Sequence, residues 1–162
     1  MSDNQKILVL GVGNILFTDE GIGVKVITDL EKEYSFSPNV TLMDGGTLGT
    51  ILMGPIMECD MLIVVDAVLG DDKPGSVYRL TGEDLRKSLA FKDSMHQTDL
   101  LDTLVLCDLC DSRPDCVVVG IEPFDYETMC EHVSDTVKVQ LPVMKEKVLI
   151  EVKAAGGSFN PL

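Results

Sequence analysis

The first strong pattern is Lys6-Ile7-Leu8-Val9-Leu10-Gly11, an uninterrupted apolar run closed by glycine. Runs of this kind mark strands covered on both faces, so this one is predicted to lie centrally in a sheet. Apolar residues then recur at three- and four-residue spacing: Ile22, Val26, Ile27, Leu30 and Tyr34, with Lys25, Asp29, Lys32 and Glu33 between them. This predicts an amphipathic helix over 21–34, with Thr18 and Asp19 as cap residues and Glu20 where the helix dipole favours negative charge. Val40-Thr41-Leu42-Met43 predicts a second strand, stopped by Asp44-Gly45-Gly46-Thr47 and followed by a helix over 48–57 that Gly54-Pro55 should break or bend. Asp60-Met61-Leu62-Ile63-Val64-Val65-Asp66 is the strongest strand signal, and the weak alternation of Ser76-Val77-Tyr78-Arg79-Leu80 predicts an edge strand open to antiparallel pairing.

Leu100, Leu101, Leu104, Val105 and Leu109 predict a helix over 98–109, with His96 just ahead of it. Cys116 to Ile121 reads as the last core strand. From Ser134, the residues Val137, Leu141, Met144, Val148 and Val152 trace a closing helix that Pro142 kinks or delays, and 156–162 reads as a tail. Buried strands alternating with helices predict a single-domain α/β three-layer sandwich over 1–155, with helices on both faces of a mostly parallel, twisted sheet of about five strands. In such sheets ligands bind beyond the carboxyl ends of the strands, which selects 11–20, 44–47, 66–68 and 122–123 for attention.

Charge narrows the function. Thirteen basic against twenty-seven acidic residues leave the 162-residue chain at −14, a field that repels phosphate backbones and anionic lipid surfaces. No nucleic acid and no membrane partner are expected. There is no apolar run of the ~20 residues that a membrane span needs and no leader-like segment at the amino terminus, so a cytoplasmic location is expected. The five cysteines are an odd number in a chain large enough to fold unstapled, which predicts reduced thiols. Cys107-x-x-Cys110 sits near the C-terminal end of its predicted helix, where the dipole opposes a thiolate, so redox chemistry is disfavoured. Cys116, Cys130 and His132 have irregular spacing for a zinc site, and idle or buried thiols are the better reading.

The loop Gly11-Val12-Gly13-Asn14 starts like a dinucleotide fingerprint but has Leu16 where the third glycine belongs, and no Walker lysine follows, so no nucleotide is expected. No Gly-x-Ser-x-Gly elbow is present either. What remains at the carboxyl edge is Glu20, Asp66 and His96, two carboxylates and an imidazole that suit zinc, nickel, iron or manganese. A three-ligand set leaves coordination positions open for chemistry. Each also has a plainer reading, as dipole compensation, a strand-end turn or a solvated imidazole. Asp44 follows the second strand and reads equally well as an Asx turn or as a second carboxylate reaching the cleft.

These residues resemble the hydrogenase maturation endopeptidases. The resemblance is carried by 7–16 (Ile-Leu-Val-Leu-Gly-Val-Gly-Asn-Ile-Leu), Thr18-Asp19-Glu20-Gly21-Ile22-Gly23-Val24, Asp44-Gly45-Gly46-Thr47, the strand ending in Asp66-Ala67, His96-Gln97 and Val119-Gly120-Ile121-Glu122-Pro123. It implies an endopeptidase that removes the C-terminal extension of the nickel-iron hydrogenase large-subunit precursor once nickel is inserted. The nickel is supplied by the substrate, with Glu20, Asp66 and His96 as its ligands and Glu20, Asp66 and Asp44 as the catalytic carboxylates. Whether catalysis is aspartyl-type or metal-assisted stays open. The family often has proline before the histidine, whereas this chain has Met95. A monomer is expected, and the alternative activity is that of a non-proteolytic nickel-binding chaperone or scaffold for the large subunit.

Overall fold

In the computed structural model, which describes residues 5–46, 53–87, 109 and 114–162, β1 (Ile7–Val12) is buried along its whole length. Its side chains alternate between two cores. Ile7 and Val9 join one and Leu8, Leu10 and Val12 the other, as the period-two geometry of a strand requires. β4 (Met61–Ala67) and β6 (Asp115–Ile121) divide in the same way, with Ile63, Val65, Val117 and Val119 on the first face and Leu62, Val64 and Val118 on the second. This is why their sequences read as unbroken apolar runs.

Five strands stand in the order β3-β1-β4-β6-β5, where β3 is Val40–Gly46 and β5 is Val77–Leu80. β3, β1, β4 and β6 are parallel, and β5 closes one edge antiparallel to β6. Helix α1 (Ile22–Glu33) and helix α4 (Leu141–Ala154) cover the first face through Ile22, Val26, Leu30, Met144, Val148 and Val152. The second face is covered by α2 (Met53–Glu58) through Ile56 and by a 3-10 turn (Gly82–Lys87) through Leu85. The three-layer α/β sandwich is therefore as expected. The chain leaves β1 for β3 on one side and then crosses to β4 on the other, so the direction of winding reverses between β1 and β4. That reversal opens a crevice at their carboxyl ends.

The structure sharpens two local expectations and corrects two, those for Gly54-Pro55 and for the tail. Gly54-Pro55 do not break α2, because they lie in its first turn, where proline's missing N–H is no loss. The closing helix divides into α3 (Asp135–Lys138), capped by the Ser134 hydroxyl, and α4, which takes Pro142 in its first turn, so the proline delays a helix rather than kinking one. The helix predicted over 21–34 stops at Glu33, and Tyr34–Phe36 forms a strand, β2. The supposed tail supplies its partner: β7 (Phe159–Pro161) pairs antiparallel with β2, and the Phe159 ring meets Tyr34 edge-on at 5.6 Å. A three-residue strand carries no periodic signal, and its partner lies more than 120 residues away. The helix expected over 98–109 lies outside the described residues apart from Leu109.

Candidate functional site

Gly13 follows β1 at a φ of +122°, a conformation that side chains rarely adopt. A methyl group there would overlap the backbone carbonyl oxygen of Glu20 and would lie 3.7 Å from Oδ1 of Asp66. The glycine thus lets three segments close on one point: the end of β1, the 3-10 turn Thr18–Gly21 and the end of β4. Gly23 does the same one turn later. A side chain on it would collide with the Val65 carbonyl oxygen and would lie 2.6 Å from that of Val12, so α1 begins directly over the carboxyl ends of both strands. The turn that carries Glu20 packs against β4. Gly13→Ala is expected to cost about 2–3 kcal/mol, because backbone rather than a flexible side chain must yield. Urea denaturation measures this, and an unchanged midpoint would contradict the close approach.

Asp66 is 1% exposed, buried at the end of a central strand. Glu20 is half-buried on its turn. Asp44 lies in β3 two residues before its end at Gly46, is exposed, and pairs in register with Gly11, which pairs in turn with Val65. Two strand spacings, roughly 10 Å, therefore separate the backbones of Asp44 and Val65 along one edge. His96 lies outside the described residues. Among the described residues no three side chains of metal-ligating type gather as a cation site. The zinc alternative is poorly placed, since Cys116 lies at the amino-terminal end of β6 while Cys130 and His132 follow its carboxyl end. Cys107 and Cys110 lie outside the described residues. Cys59, Cys116 and Cys130 are unbridged thiols.

Two further carboxylates organise the rim, and neither role was read from the sequence. Asp19, expected as a helix cap, does not cap α1, whose N-cap is Gly21. Its side chain is wholly buried. Oδ2 accepts from the amides of Phe124 (2.9 Å) and Asp125 (3.0 Å) and from the Ser134 hydroxyl (2.8 Å), while Oδ1 accepts from the Ser134 amide (2.7 Å). A buried charge of this kind is tolerated because charge-assisted bonds replace its hydration. Glu122, at the end of β6, accepts through Oε1 from the amides of Gly70 (2.8 Å) and Asp72 (3.3 Å) and from the Tyr78 hydroxyl (2.6 Å). It holds down the loop that leaves β4. Burial first, then the hydrogen bond to the Glu122 carboxylate, push the Tyr78 phenol above its ordinary value of 10.0, so it stays a neutral donor. The sequence signal for both was only their position beyond strand ends.

Comparison with known proteins fits this arrangement. The family model described as "Hydrogenase maturation protease" matches residues 24–151. The Hydrogenase 2 maturation protease of Escherichia coli is 36% identical over 96% of each chain. The hydrogenase expression/formation protein HupD of Bradyrhizobium diazoefficiens is 38% identical over 78% of this chain and 67% of its own length. Among solved structures, the hydrogenase maturating endopeptidase HybD from E. coli superposes with a TM-score of 0.88 at 34% identity, covering 97% of this chain and 98% of its own. The [NiFe] hydrogenase maturation protease HybD from Thermococcus kodakarensis gives 0.71 at 26% identity, over 93% and 99%. The chain belongs to the hydrogenase maturation protease family.

Proposed function

We propose that this protein is an endopeptidase that removes the C-terminal extension of a nickel-iron hydrogenase large-subunit precursor after nickel insertion. It would read the substrate's nickel through Glu20, Asp66 and His96. The observation that supports this most directly is the buried Asp66 carboxylate at the β1/β4 crevice, beside the turn that carries Glu20. A two-carboxylate, one-imidazole set suits nickel among other divalent metals and leaves positions for the substrate's own ligands. Binding through the metal would hold the neighbouring peptide against the enzyme and make cleavage conditional on loading.

Hydrolysis bonds a water oxygen to the scissile carbonyl carbon, breaks the C–N bond and delivers a proton to the departing nitrogen. Nickel would polarise the carbonyl, or a carboxylate would take the proton from water, Asp44 being one on the same sheet edge outside the proposed ligand set. His96 must be neutral to ligate, so in this reading metal-dependent binding weakens as pH falls below about 6.5. The enzyme would act as a monomer in the cytoplasm. No helix among the described residues is long and apolar enough to cross a membrane.

The deciding experiment is mass spectrometry of the large-subunit precursor incubated with the purified protein, with and without nickel loading. A shortened large subunit and a released C-terminal peptide from the loaded precursor alone are expected. Stable binding with no cleavage would favour a chaperone or scaffold, and cleavage of unloaded precursor would remove the nickel-reading role.

A further inference from the structure

Four large apolar side chains stand out of the surface on two loops beside the crevice: Ile15 is 52% exposed, Leu16 44%, Phe124 64% and Met129 73%. The loops that carry them are tied together. The Cys130 amide donates to the Leu16 carbonyl at 2.8 Å, the Thr18 amide donates to the Cys130 carbonyl at 2.9 Å, and the Thr18 hydroxyl donates to the Thr128 carbonyl at 2.6 Å. Asp19 holds the Phe124 and Asp125 amides from below. Apolar side chains presented to water on a braced frame are the mark of a docking surface, and an aromatic ring and a methionine are residues enriched in such surfaces. Bracing reduces the ordering cost of association. The exposed carboxylates of Glu127 and Glu131 border the patch on a chain of net charge −14, so a complementary surface is apolar with a basic margin.

We infer that the Ile15–Leu16 and Phe124–Met129 loops form a docking rim for the folded body of the protein substrate, gripping an apolar patch bordered by lysine or arginine. This rests on the reading that the chain acts on the large-subunit precursor. The rim supplies affinity for that partner, while the crevice beside it supplies the chemistry.

The test measures binding of the nickel-loaded, uncleaved precursor to immobilised protein, together with steady-state cleavage. Phe124→Ser combined with Met129→Ser is expected to raise Kd and KM at least tenfold with kcat unchanged, roughly the effect of removing two interface anchors. Ile150→Ser, on another exposed apolar residue, in α4 (56%), should change neither constant. Glu127→Lys with Glu131→Lys should slow association by roughly tenfold at low salt and remove its salt dependence. Binding by the Phe124/Met129 variant within about twofold of wild type would overturn the inference, as would an equal loss in Ile150→Ser. Sedimentation that showed a dimer abolished by the same pair would reassign the rim to self-association. Wild-type binding without cleavage would defeat the proteolytic reading and leave the rim to be judged on Kd. Absence of wild-type binding would defeat the rim itself.

Discussion

Asp66→Asn will lower cleavage of nickel-loaded precursor by roughly a thousandfold or more, the scale expected when a metal ligand or proton-transfer group is removed. The amide keeps the shape of the carboxylate, so Ile63, Val65 and the strand pairing around it stay in place. What it removes is charge: an amide oxygen is a far weaker ligand for a divalent metal than a carboxylate. His96→Ala should produce the same loss without unfolding, because in this reading both residues serve one cation. Gel or mass analysis of the products reads the activity, and circular dichroism with thermal melting checks the fold. Full processing by either variant would refute a shared nickel-reading site. Asp44→Asn separates the two chemistries. Retained precursor binding with lost turnover fits a proton-transfer role near the end of β3, and unchanged turnover leaves nickel as the activating group.

Asp19→Ala will be the most destabilising single substitution in the rim. It deletes four hydrogen bonds to a buried carboxylate and leaves the amides of Phe124, Asp125 and Ser134 without their acceptor. Bonds to charged groups are worth about 1.5–3 kcal/mol each, and orphaned buried donors add a desolvation cost, so a loss of about 3–5 kcal/mol is expected after partial rescue by water. At about 2–4 °C per kcal/mol for a domain of this size, the melting temperature should fall by roughly 10 °C or more. Asp19→Asn should fall between, since its carbonyl still serves one side while its NH2 group faces donors. Asp125→Asn is the control, because that carboxylate bonds within its own loop, to the amides of Glu127 and Thr128 and to the Thr128 side chain. A melting temperature for Asp19→Ala within about 2 °C of wild type would show that the two loops are held by something else.

The deeper consequence of Asp19 is functional. The same carboxylate that stabilises the domain fixes the Phe124–Met129 loop against the turn bearing Glu20, so its loss should also weaken precursor binding through the rim. In the proposed reading, stability and substrate recognition are thus coupled at a residue outside the proposed ligand set.

The strands were legible in the sequence because burial on both faces leaves no room for polar residues. The runs at 7–10, 61–65 and 117–119 have no other economical reading, and they form β1, β4 and β6, three of the four parallel strands. The carboxyl-edge rule then led to Glu20, Asp66 and Asp44 without coordinates. Local pattern was silent on contacts between distant parts of the chain. Asp19 and Glu20 are adjacent acids after the same loop, and nothing in their spacing says that one is buried under a loop more than a hundred residues away while the other sits beside the crevice. The last residues read as a tail because three extended residues gain stability only from a partner strand, and β2 is itself too short to announce one. Hydrophobic periodicity thus determined the layers and the edge on which the site lies. Only tertiary folding decided which carboxylates brace the loops and which lie beside the strand ends, because a buried charge is stabilised by donors that the chain brings from far away.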